Sequence, residues 1–177
     1  MHQQLVLGKI TEILAATDDS YEAELTQLLD KSSRIFVSGA GRSGLIARFF
    51  VMRLMHAGYE AYLVGEVVTP SVRDSDMLLV ISGSGGTEQL VAFANRAKKI
   101  GAQVVLISAK RNSALGDIAD AVFEIGKPDL YGTVVGMPMG TVFELSTLIF
   151  LEALISHFIH EKGIPEEQMK ERHANLE

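Results

Sequence analysis

A chain of 177 residues, 47% of them hydrophobic, is long enough to bury one good core and too apolar to remain disordered. Its net charge of −6 argues against a general nucleic-acid binder, whose affinity comes from Lys and Arg contacts to phosphates, but leaves room for a small phosphorylated ligand held by local dipoles. The chain has no cysteine, which excludes disulfides, thiolate metal sites and thiol nucleophiles.

Near the N-terminus, Leu5, Val6, Ile10, Ile13 and Leu14 fall on one helical face. No basic stretch precedes an apolar one over 1–9, so no signal peptide is expected. Asp18, Asp19 and Ser20 read as a break and a new cap, and a second helix running to about Leu29 completes a helical hairpin over 1–30. Residues 34–37 are a short β-branched and aromatic run, the first strand; a glycine-rich turn and a helix through His56 follow. The second strand is predicted over 61–64, with a loop over 65–75 in which Pro70 holds Thr69 extended. Residues 77–81 are apolar without a break, the pattern of a strand buried on both faces. A helix over 88–100, a strand over 104–108, a short helix over 113–118 and a fifth strand over 121–125 come next. Residues 127–139 are irregular, a long helix covers 140–161 until Gly163 and Pro165 end it, and 166–177 form a polar, helical tail.

Strands alternating with helices predict an α/β fold with a parallel, five-stranded sheet covered on both faces, in one domain: hairpin 1–30, core 34–161 and tail 165–177. The longest candidate membrane span is 142–159, but Glu144, Glu152 and His157 interrupt it, so it reads as a buried helix of a soluble protein, with no membrane partner. A cytoplasmic location follows.

Ligands of such sheets bind beyond the carboxyl ends of the strands, where both glycine turns fall. The turn after the third strand, Ser82-Gly83-Ser84-Gly85-Gly86-Thr87, sets three hydroxyls and three glycines within six residues at a helix start. A cap needs one hydroxyl. Glycines let the backbone approach a ligand, and the N–H groups and dipole of a helix start favour an anion. Ser82, Gly83, Ser84, Gly85, Gly86 and Thr87 are therefore candidate phosphate ligands, with Ser43 at the same mouth. The other turn, 39–44, also fits the G-x-G-x-x-G spacing of a dinucleotide site, with Glu66 near the position of a ribose-binding acid. The second phosphate-like loop and the bulk of Arg42-Ser43 at the helix start weigh against that alternative.

These turns, together with a Glu on the last long helix, resemble the sugar isomerase (SIS) domain family. Gly-Ala-Gly-Arg-Ser-Gly at 39–44, Pro-Met-Gly-Thr-Val-Phe-Glu at 138–144 and Arg-His-Ala-Asn-Leu-Glu at 172–177 bring the chain close to its hexulose-phosphate branch. The resemblance implies a flavodoxin-like α/β/α sandwich and a homo-oligomer, usually a tetramer. It implies interconversion of 3-hexulose 6-phosphate and fructose 6-phosphate in the ribulose monophosphate route of formaldehyde fixation. It further implies that Ser43, Ser82, Ser84 and Thr87 hold the phosphate, that Glu144 is the base, and that His173 reaches the site of a neighbouring subunit.

Moving a carbonyl from C3 to C2 through a shared enediol needs one base on one face, and calls for no redox cofactor and no metal if hydrogen-bond donors stabilise the enediolate. The apolar neighbours Phe143 and Leu145 suit Glu144 to that duty, although by position it reads equally as a first-turn glutamate favoured by the helix dipole. His173 suits proton shuttling between O2 and O3, although a His so near a chain end is more often a surface residue. His56, His157 and His160 read as packing or surface residues. Arg42 is either a substrate contact or the partner of an acid across a subunit interface. Thr69 and the segment 127–139 are expected to shape the sugar end. A non-catalytic phosphosugar sensor is the second reading; the short, non-basic hairpin counts against the helix-turn-helix such sensors carry. An isomerase of another phosphosugar is the third.

Overall fold

The computed structural model describes residues 1–176. Helices α1 (His2–Ala15) and α2 (Tyr21–Lys31) precede β1 (Ile35–Gly39), α3 (Gly41–His56), β2 (Ala61–Leu63), β3 (Met77–Ile81), α4 (Glu88–Ile100), β4 (Gln103–Ser108) and β5 (Ala121–Glu124). A 3-10 turn at Pro128–Leu130, α5 (Thr141–His160) and α6 (Glu166–Glu171) complete the order.

The five strands form one parallel sheet in the order β2-β1-β3-β4-β5. Successive side chains of a strand point to opposite faces, so each strand feeds two core layers. Ile35, Val37, Met77, Leu79, Ile81, Val105, Ile107 and Phe123 enter the layer beneath α1, α2, α3, α5 and α6. Phe36, Leu78, Val80, Val104, Leu106 and Val122 enter the other, covered by α4 through Leu90, Ala94 and Ala97. The strand order reverses direction between β1 and β3, which makes the gap beyond their carboxyl ends the topological switch point of the sheet.

Helix α5 has the length and hydropathy to cross a membrane, yet it packs against α1, α2 and α3, with Phe143, Phe150, Leu151, Leu154 and Phe158 buried. It is the central helix of the thicker layer, as expected for 142–159. The tail is helical only over Glu166–Glu171, and Glu177 lies outside the described residues.

The short helix expected over 113–118 is absent; this stretch is a series of turns. The Leu115 N–H donates to the Gly85 carbonyl at 2.9 Å, and the Gly116 N–H to Ser113 Oγ at 3.1 Å. The Asp117 and Ala119 N–H groups keep helical spacing, to the Ser113 and Leu115 carbonyls, but Ile118 between them bonds only three residues back, to Leu115, so no continuous helical run forms.

Candidate active site

At the switch point lies a cavity of about 470 Å³. Three helix N-termini line it: α3 through Ala40 and Ser43, α4 through Thr87 and Leu90, and α5 through Gly140 and Glu144. None of the three carries a side-chain capping hydrogen bond, so their first-turn N–H groups and dipoles address the same space. Such convergence is a ready-made site for an anion.

Of the residues expected from sequence, Ser43, Ser82, Gly83, Ser84, Thr87 and Glu144 all line this cavity. Within the loop after β3, Ser82 Oγ accepts from the Gly85 N–H at 3.1 Å and Ser84 Oγ from the Gly86 N–H at 3.3 Å. Gly85 and Gly86 belong to the loop without lining the cavity. Gly85 has φ +65° and faces Ser113, whose Oγ lies 2.2 Å from where a Cβ would be. Its carbonyl points away to Leu115, so the loop is tied down from behind.

Glu144 sits in the first turn of α5, its side chain 12% exposed, and its carboxylate is ion-paired to the Arg42 guanidinium. Arg42 thus meets an acid of its own chain. Two neighbours frame this part of the site. Gly140, with φ +85°, leaves room for it: a Cβ there would lie 2.7 Å from Glu144 Oε1. The neighbouring Phe143 ring presses on the phosphate-type loop, 2.9 Å from where a Cβ on Gly83 would stand.

The segment after β5 forms the remaining wall with Tyr131, Thr133, Val134, Met137 and Met139. Tyr131 anchors it, its hydroxyl donating to the Ile125 carbonyl at 2.5 Å and its ring lying edge-on to Phe143. Burial, with the Glu124 carboxylate adding to it, pushes the Tyr131 phenol above its ordinary range and keeps that donor protonated. The segment was expected to shape one end of the site; which of its residues do so was not legible, because it lacks any periodicity.

Two expected residues stand elsewhere. Thr69 does not line the cavity, and its hydroxyl donates to the Leu63 carbonyl at 2.5 Å. His173 lies in a second cavity, with its ring stacked on that of His56. His56 ends α3, whose first turn carries Arg42 about 21 Å away at a helical rise of ~1.5 Å per residue. Within one chain, His173 and Glu144 do not meet. Glu66, the acid the dinucleotide alternative requires, is ion-paired to Arg48.

Residues 28–155 match the SIS domain family. A 3-hexulose-6-phosphate isomerase of Methylomonas aminofaciens is 48% identical, over 99% of this chain and 98% of its own. The Bacillus subtilis protein of the same name is 40% identical over 97% of this chain and 95% of its own. Among solved structures, a Methanococcus jannaschii protein for which a 3-hexulose-6-phosphate isomerase function was inferred superposes with a TM-score of 0.85. It is 35% identical, over 99% of this chain and 98% of its own. With the motif match spanning most of its length and relatives aligned from end to end, this chain belongs to the SIS domain family.

Proposed function

We propose that this chain interconverts 3-hexulose 6-phosphate and fructose 6-phosphate through a 2,3-enediol, the second step of formaldehyde fixation by the ribulose monophosphate route. The carrying observation is one carboxylate, Glu144, on the wall of a cavity whose other walls are three uncapped helix starts and a hydroxyl-rich loop. Relatives of that activity, aligned over nearly the whole chain, support the same reading.

In this reading Ser43, Ser82, Ser84 and Thr87 hold the phosphate, with the backbone of Gly83, Gly85 and Gly86 shaping the cradle. Glu144 takes the proton from C2 and returns it to C3. O2 loses its proton as C2 becomes the carbonyl, and O3 gains one; C2 is oxidised and C3 reduced, with no external electron acceptor. Arg42, already against the base, stabilises the negative charge that develops on the enediolate oxygens. Thr69 contributes by holding the loop after β2 in place through its bond to Leu63.

His173 enters as the O2/O3 proton shuttle from a second copy, since its own site is out of reach. A cytoplasmic homotetramer with shared sites fits the surface of α3. Leu45, Phe49, Met52 and Met55 repeat at helical spacing along it and are 64%, 42%, 54% and 37% exposed, an apolar stripe suited to burial against another subunit.

Two measurements test these assignments. Ser84→Ala combined with Thr87→Ala is expected to raise KM for fructose 6-phosphate by about 10²-fold, the cost of two hydrogen bonds to a charged group. Unchanged KM would remove the loop from phosphate binding. Truncation after Arg172 is expected to lower kcat by about 10²-fold, the smaller end of a proton-transfer contribution, with oligomer size retained by sedimentation. Full turnover of the truncated protein excludes the tail from the site.

A further inference from the structure

The second cavity, about 400 Å³, opens at the far end of α3 and α5 from the first. His56, Glu152, Ser156, Lys170 and His173 are among its walls. His56 is 4% exposed, and its ring stacks on that of His173 with centroids 5.3 Å apart and planes 26° from parallel. The backbone carrying His173 is clamped to the same helix end. Arg172 Nη1 donates to the His56 carbonyl at 3.0 Å, and its guanidinium lies over Gly58, 3.3 Å from where a Cβ would project. Met169, one turn earlier, is buried in the core beneath.

His173 itself is on an exposed stretch after α6, where an unsupported side chain samples several rotamers. Two contacts remove that freedom. Stacking on a buried ring sets the plane of the imidazole. Its Nδ1 lies 2.9 Å from the Ala174 carbonyl, which can only accept, so Nδ1 is the donor of that bond and the ring edge is held against the backbone. Plane and edge are thus both set inside one chain, before any second copy arrives.

We propose that His56 is the positioning residue for His173. The buried ring at the end of α3 fixes the tilt at which His173 is presented, and Arg172 fixes the register of the tail against that helix. The inference rests on the reading that His173 reaches the site of a second copy. It assigns a role to a histidine that the sequence marked as a packing or surface residue.

The test compares full-length His56→Ala, His56→Phe, His173→Ala and the His56→Ala/His173→Ala pair, each confirmed folded and of native oligomer size. His56→Ala is expected to lower kcat by about tenfold with KM changed less than about twofold, His56→Phe to restore most of kcat, and the pair to fall no further than His173→Ala alone. Where His173→Ala itself loses turnover, wild-type kcat in a His56→Ala protein, failure of Phe to rescue, or a further tenfold or so loss in the pair overturns the proposal. Amide exchange supplies a readout independent of turnover: the His173 N–H donates to the Lys170 carbonyl, His56→Ala is expected to speed its exchange by about tenfold, and unchanged exchange overturns the proposal. If His173→Ala turns over like wild type while that exchange still quickens, the positioning stands and the catalytic reading of His173 falls.

Discussion

Glu144→Gln is expected to lower kcat by about 10³-fold or more, within the range for loss of a general base, and to leave fructose 6-phosphate binding intact. The substitution is close to isosteric. A glutamine oxygen still accepts from the Arg42 guanidinium, so the contact that seats residue 144 survives as a weaker hydrogen bond. The room that Gly140 leaves beside the side chain is unchanged. What disappears is the capacity to take a carbon-bound proton. Exchange of the C3 hydrogen of fructose 6-phosphate with heavy water, the same proton transfer run from the product side and followed by proton NMR, reads that step directly, and titration calorimetry reads binding separately. Near wild-type exchange removes Glu144 from the mechanism; loss of binding alongside exchange assigns it to holding substrate instead.

Gly85→Ala is expected to damage both stability and phosphate affinity, through two separable penalties. Its backbone has φ +65°, which costs a residue with a Cβ about 1–2 kcal/mol. The added methyl would also stand 2.2 Å from Ser113 Oγ and 2.5 Å from Ser113 Cβ, an overpacking that costs about 1–3 kcal/mol. The segment behind the loop cannot simply retreat, because Leu115 holds the Gly85 carbonyl and Ser113 accepts from Gly116. The loop must therefore move toward the cavity, carrying Ser84 with it. A lowered unfolding midpoint together with a KM for fructose 6-phosphate raised by an order of magnitude or more, about 1.4 kcal/mol per tenfold, is the expected pair of results. Adding Ser113→Gly should recover the packing share and leave the conformational share. Wild-type stability and KM in Gly85→Ala alone show that the loop is not tied from behind.

How legible all this was in the sequence depends on whether the cause is local. The strand at Met77–Ile81, its glycine turn and α4 could be placed because an unbroken apolar run, small residues and helical periodicity succeed one another without overlap. The mouth of the sheet followed, since in a parallel sheet every strand ends at the same edge. The turns at 113–118 read as a helix because they share two of its local bonds, from Asp117 to Ser113 and from Ala119 to Leu115, while the contact that seats them, from Leu115 to Gly85, joins residues thirty positions apart. The pairing of Arg42 with Glu144 spans 102 positions and leaves no trace in any window. Thr69 looked like a site hydroxyl because nothing in Thr-Pro reveals that its O–H donates to the Leu63 carbonyl. The tail motif marked His173 as a residue of interest, but where it lies depends on the docking of Met169 and Arg172, both contacts with distant elements.

The placement of α5 has a consequence for biosynthesis. Helices α1 and α2 are synthesised more than a hundred residues before the surface they pack against, α5, which begins at Thr141. Until α5 has been made, Ile13, Leu25 and Leu29 lack the neighbour that shields them from water. Closure of the thicker core therefore waits on a distant element at a high loop-closure cost, and the interval before it is when a nascent chain is most in need of a holding chaperone.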